Sequence, residues 1–291
     1  MQVYQLFLLI GVALCVLATV PKKHPLSRLE AAKDYVEVSA GFAYVNDQKQ
    51  RVETFYISKY EITNAQYQVF LEELKAQENE ELYQLALPKH QKPASWKKTP
   101  LAEGALIPQY TTYQAFADFP VVGITYEAAK LYCTWLTEQA KEQSKGGYEI
   151  EFRLPSQAEW TRAARGETQN EYAWNSPYLQ DEKGYFQCNF KRISAEKVTF
   201  NPKTNAYEIV PPTADYREGG MTDKVYAYTE NEFGLYNICG NVAEMIADEG
   251  KALGGSWNDT GYDVRVESMS GYSVGSPYVG FRPVMIIKER K

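Results

Sequence analysis

The sequence predicts an α+β fold: a single loop-rich domain with few regular elements. Three observations carry that prediction. Short segments between residues 36 and 57 alternate apolar and polar side chains, as half-buried strands do. Three later segments place a capping residue ahead of an apolar repeat with helical period. The long stretches between them are rich in Gly, Tyr and Pro and have no period. The chain has 291 residues. With its first twenty set apart, the remainder suits one large domain.

Residues 6–20 form a fifteen-residue apolar run, MQVYQLFLLIGVALCVLATV in context. A membrane span needs about 20 such residues, so the run is better sized for a signal peptide. Residues 1–20 are therefore read as a signal peptide or membrane anchor, with cleavage near Ala18. Cys15 raises lipidation as a second reading, although Leu14 stands where a small residue belongs. Residues 21–34 read as a linker and 35–288 as the folded domain. The expected location is exported: periplasmic, or envelope-associated with the N-terminus at the membrane.

Val36-Glu37-Val38 alternates, and 41–45 and 52–57 read as strands joined by a polar turn over 46–51. Thr63 followed by Gln66 is a capping-box pattern, and Tyr67, Phe70, Leu71 and Leu74 then share one helix face. A second helix follows Thr125 and aligns Ala128, Leu131, Tyr132, Trp135 and Leu136. A third starts at Ser156 with Glu159 in capping-box position, carries Trp160, Ala163 and Ala164, and stops at Gly166. Arg153 and Arg162 flank it and are suited to tying loops together by bidentate contacts. Between the first two helices, 78–119 is a polar stretch with Pro88, Pro93, Pro100 and Pro108. It reads as an insertion and a candidate partner contact. The C-terminal part, from Asn231, is Gly-rich and aromatic.

The net charge is −6 and no basic run stands out, so the sequence does not point to nucleic acid and no such partner is expected. Two histidines exclude a three-imidazole centre within one chain. There are four cysteines and no CxxC. Cys133, Cys188 and Cys239 remain when Cys15 is set aside, and they read as buried small hydrophobes.

Four segments in order carry a family resemblance: YEITNAQYQVFL (60–71), FPVVGITYEAAKLYCTWL (119–136), FRLPSQAEWTRAARG (152–166) and NEFGLYNICGNVAEM…ALGGSWND…VGFRPV (231–284). Together they resemble the formylglycine-generating enzyme family, also called the sulfatase-modifying factor family. The resemblance implies a fold similar to a C-type lectin. It also implies a calcium site at Asn237, Gly240, Val242 and Glu244, two side-chain oxygens and two carbonyls of the kind that suit Ca²⁺. In the family two cysteines after the GGS segment hold Cu(I), for which soft thiolates are suited. Here Asn258 and Asp259 stand in that region, and no Cys follows Cys239. No copper is expected. An arginine lining the family's substrate groove soon after the position of Arg265 is replaced by Met269. Asn258, Asp259, Arg265 and Met269 thus define the candidate cleft, which Asp259, Asp263 and Glu267 make acidic.

These departures imply a non-catalytic structural or binding component of the cell envelope with protein partners there. The insertion ahead of YTTYQAFADFPVVGITYEAAKLYC further resembles gliding-motility and type IX secretion lipoproteins that carry this fold. A divergent formylglycine-generating oxidase and a lectin-like carbohydrate- or peptide-binding module are the alternatives.

Overall fold

The run Val284-Met285-Ile286-Ile287 shows how the core is arranged. A strand that is apolar on every residue needs both faces covered. In the computed structural model, which describes residues 33–89, 109–143, 148–192, 198–209 and 221–289, both are. Strand β12 (Val284–Glu289) lies inside a four-stranded antiparallel sheet, between β4 (Phe55–Ser58) and β5 (Tyr148–Arg153), with β1 (Tyr35–Val38) beyond β4. Met285 and Ile287 face one apolar cluster with Phe70, Tyr132 and Phe152. Val284 and Ile286 face another with Ile57, Trp160 and Ala163. Helices α1 (Asn64–Ala76) and α3 (Tyr126–Gln143) supply the first cluster, and α4 (Gln157–Arg165) the second. A mixed sheet follows, ordered β10 (Met269–Gly271), β9 (Lys251–Leu253), β8 (Ala243–Met245) and β11 (Val279–Phe281). This is the loop-rich α+β domain expected.

One local expectation needs correction. The segment over 46–51 is not one polar turn. Asn46 and Asp47 alone make the turn, at φ 49° and 61°, and Gln48–Val52 is strand β3, paired with β2 (Gly41–Val45). Residues 48–51 are exposed, so a solvated strand carries a loop's composition. The insertion is also partly built into the core. Helix α2 (Glu80–Ala86) lies in it, the Tyr67 hydroxyl donates to Ala86 O at 2.8 Å, and Tyr110 and Phe116 are buried. Its proline-rich middle, 90–108, lies outside the described residues, as do the leader and the linker up to residue 32.

The helix starts form as the sequence specifies. Ser156 Oγ accepts from the Glu159 N–H at 3.2 Å, and the Glu159 carboxylate accepts from the Ser156 N–H at 2.8 Å. The same carboxylate takes both guanidinium N–H₂ groups of Arg153, at 2.7 and 2.8 Å. Burial opposes ionisation of Glu159, but Arg153 and the capping donors outweigh it and hold the carboxyl below its ordinary range. Ser156→Ala is expected to lower unfolding free energy by about 1 kcal/mol, the usual worth of an N-cap. Urea denaturation reads this directly, and an unchanged midpoint would show the cap to be idle.

Candidate functional site

The cleft residues sit on a turn that follows β9. Gly255, at φ +65°, starts it, because a Cβ there would collide with the Asp263 carbonyl. Asp259 then folds back: its carboxylate accepts from Ser256 Oγ at 2.6 Å and Ser256 N–H at 2.8 Å. Asp263 accepts from Thr260 Oγ1 at 2.6 Å. Asn258 donates its backbone N–H to Ser256 Oγ at 3.3 Å. Arg265 donates to Tyr262 O at 2.9 Å, with its guanidinium 3.6 Å from the Tyr262 ring centre and the Glu171 carboxylate at 3.6 Å. Glu267 pairs with Arg165 at 2.7 Å. Each of the three acids expected to charge the cleft is bonded to a neighbouring side chain, while Asp263 and Glu267 remain exposed. Met269 stands apart from the turn on edge strand β10, opposite Leu253.

The side-chain donors in this turn are hydroxyl, carboxylate and amide oxygens, so the turn does not fit Cu(I), which prefers thiolate. The thiols lie elsewhere. Cys133, Cys188 and Cys239 are buried and unpaired. Burial pushes the Cys133 and Cys188 thiols well up and Cys239 up to about 12. Nucleophilic and metal-binding thiols need the opposite shift. None of the three is expected to react with a disulfide reagent at mildly alkaline pH until denaturant is added. Rapid native labelling of any of them would contradict this burial.

Beside the turn lies a feature that the sequence reading left within an irregular stretch. Leu179 packs against Gly261, and the Lys191 N–H donates to Asp259 O at 2.8 Å. The segment 175–187 borders a depression of about 820 Å³. Tyr178, Tyr185 and Tyr262 stand about 70 % exposed on this side of the molecule. The clustering of Tyr178, Tyr185 and Phe186 in the sequence was the available signal.

The second site is the loop before β8. Asn237, Gly240 and Asn241 take positive φ of 50°, 77° and 60°, a conformation Gly and Asn tolerate best. Asn241 is fully bonded. Its Nδ2 donates to Glu61 Oε1 at 2.9 Å and Asp223 O at 3.2 Å, and its Oδ1 accepts from Asp223 N–H and Asn189 Nδ2. Asn237 is not. Its Nδ2 donates to Glu61 Oε2 at 3.3 Å and Lys224 O at 3.1 Å, but its Oδ1 is buried with no partner. Orphaned buried acceptors of this kind point to a ligand or water.

Glu244 is placed differently. Its carboxylate takes four N–H contacts, three from Arg282 at 2.7 to 3.1 Å and one from the Trp160 indole at 2.8 Å. Arg282 also donates to the carbonyls of Ser58, Lys59 and Tyr236. Of the expected calcium set, Asn237 therefore offers a free side-chain oxygen, and Glu244 offers oxygens already shared. Glu61, fully buried, was not in the set. Burial pushes its carboxyl well above the ordinary range, and the Arg282 charge offsets this only in part.

Comparison with known proteins places these sites in context. Residues 22–287 match the sulfatase-modifying factor enzyme 1-like domain. The chain is 29% identical over 159 residues to a formylglycine-generating enzyme from Thermomonospora curvata, covering 54% of this chain and 40% of that one. It is 27% identical over 155 residues to the inactive C-alpha-formylglycine-generating enzyme 2 of Bos taurus, covering 49% and 40%. The chain thus spans about two fifths of the length of these relatives. Among solved structures it is similar to PvdO from Pseudomonas aeruginosa, with a TM-score of 0.55 at 17% identity over 86% of this chain and 93% of that one. It is also similar to Treponema denticola variable protein 1, with a TM-score of 0.51 at 16% identity over 86% and 94%. At such identities the likeness is one of fold.

Proposed function

The chain belongs to the sulfatase-modifying factor family, and from that premise we propose that it is a non-catalytic member that acts by binding a protein partner in the cell envelope. The observation that carries this reading is the chemistry of the turn over 256–263. Where the family resemblance calls for a thiol pair, Ser256, Asp259, Thr260 and Asp263 hydrogen-bond one another within the turn. A soft metal ion has no ligand there, and the buried thiols are held protonated. One similar relative is itself described as inactive. The exposed tyrosines beside the turn supply the amphipathic rings that contact surfaces favour.

The envelope location rests on the apolar leader. Membership of a gliding-motility or type IX secretion-like assembly is the finer form of the proposal, supported by the proline-bearing insertion at 78–119. We extend the reading to a structural calcium ion at the loop 237–244. Asn237 Oδ1 and the carbonyls of Gly240 and Val242 would hold it, with Glu244 joining only by sharing oxygens with Arg282 and Trp160. Bound there, the ion would tie the loop to β8 without taking part in any reaction.

Two measurements test the reading. With Cu(I) and a cysteine-containing sulfatase-type peptide, no oxygen uptake is expected. Turnover that survives replacement of Cys133, Cys188 and Cys239 would overturn it in favour of a divergent oxidase. Affinity purification from native membranes is expected to return a stoichiometric complex with envelope proteins. Recovery of the chain alone and fully soluble counts against a machine component.

A further inference from the structure

We infer that Glu61 is the positioning residue of the loop's cation site: it holds Asn237 so that the amide oxygen faces inward. The inference rests on the calcium reading above. An asparagine amide can sit either way round, and its neighbours decide which end points where. Both acceptors around Asn237 Nδ2 are fixed in place. Glu61 Oε2 lies at 3.3 Å and Lys224 O at 3.1 Å. The Lys224 carbonyl accepts only, as does Glu61 when ionised, so the amide nitrogen faces these two and the oxygen faces away. That oxygen is the buried acceptor without a partner.

Of the two asparagines that donate to Glu61 among the described residues, Asn237 is the one whose oxygen stays unpartnered. Asn241 donates to the same carboxylate at 2.9 Å, yet its own oxygen is taken by Asp223 N–H and Asn189 Nδ2. Charge points the same way. Glu61 and Glu244 are 0 % and 1 % exposed, and Arg282 commits its side-chain contacts to Glu244 and to backbone carbonyls. Among the described residues Glu61 has no guanidinium contact, and a cation beside Asn237 would lie next to that buried carboxyl group. Outer partners of this type orient metal ligands and commonly set affinity by one to two orders of magnitude.

The test uses the full chain stripped with EDTA and titrated with calcium chloride alone, read by calorimetry and by Tm. Wild type is expected to bind, and Asn237→Ala to lose binding. Glu61→Gln should weaken Kd roughly 10–100-fold, because its amide N–H₂ invites Asn237 to turn over. Asn241→Ala breaks another Glu61 contact away from the ligand oxygen. It should lower Tm in EDTA and in calcium alike while leaving Kd nearly unchanged. If wild type shows neither heat nor Tm shift, the calcium reading falls and takes this inference with it. If wild type binds and Glu61→Gln binds equally, calcium stands and the role of Glu61 is refuted. An equal loss in Asn241→Ala would assign the effect to general loosening and also refute it. Should Glu61→Gln not fold, Glu61→Asp withdraws the carboxylate by one methylene and is read the same way, an unchanged Kd again refuting the inference.

Discussion

Arg282→Leu is expected to destabilise the protein by roughly 3–5 kcal/mol, the usual cost of breaking a buried ion pair from one side. The guanidinium is fully buried and, from the link between β11 and β12, ties Glu244 on β8 to the end of β4 and to Tyr236. Without it the Glu244 carboxylate keeps only the Trp160 indole, and the carbonyls of Ser58, Lys59 and Tyr236 lose a donor. Each would be stranded away from water, which is where the energy goes. With typical stabilities of about 5–15 kcal/mol, such a loss is a large share of the total. The Tm should fall by roughly 6–20 °C in a chain of this size. Urea denaturation of the single variants and of the Arg282→Leu, Glu244→Leu pair gives the coupling. The double variant is expected to be less damaged than the sum of the singles, because no charge is then left unpaired. A single-variant loss below about 1 kcal/mol would mean that this network is not what holds the loop.

Gly240→Ala carries the next largest expected effect. The residue takes φ +77°, and a Cβ there would run into the Asn189 carbonyl and approach Cys188 Cβ at 3.2 Å. Left-handed backbone costs a non-glycine residue about 1–3 kcal/mol. Overpacking against backbone adds about 1–3 kcal/mol more. The backbone bonds on either side, Gly240 N–H to Gly254 O at 2.8 Å and Asn241 N–H to Asn189 O at 2.8 Å, leave little freedom to shift. The variant is expected to lose stability in EDTA as well as in calcium, since the collision does not depend on an ion. A melting temperature equal to wild type would show that the loop relaxes.

What could be read from the sequence was what depends on near neighbours. The capping boxes at Thr63 and Ser156 need only residues three apart, and both form. The apolar faces of α1 and α4 follow from spacing in the same way. Strand β3 was missed because its residues 48–51 meet solvent on both faces and carry no alternation. Helix α2 was missed because seven residues give barely two turns of pattern. At the candidate sites, residue types were legible but partners were not. Glu61 lies 176 residues before Asn237, and Arg282 lies 38 after Glu244. Nothing local announces either pairing. Asp259 and Asp263 looked like cleft charges because their bonds to Ser256 and Thr260 depend on the turn's backbone, which Gly255 sets.

The central place of β12 bears on how the chain comes to be folded. Strands β4 and β5 are made early, and each leaves one side of its backbone waiting for residues 284–289. Until those residues leave the ribosome, the main sheet has a gap in its middle and Arg282 has not reached Glu244. Pairing at such sequence distance is slow, since a long loop must close before it is rewarded. A product cut before Val284 would present two facing, unpaired strand edges, the state most prone to wrong association. The sheet therefore closes only when β12 joins partners laid down far earlier in the chain.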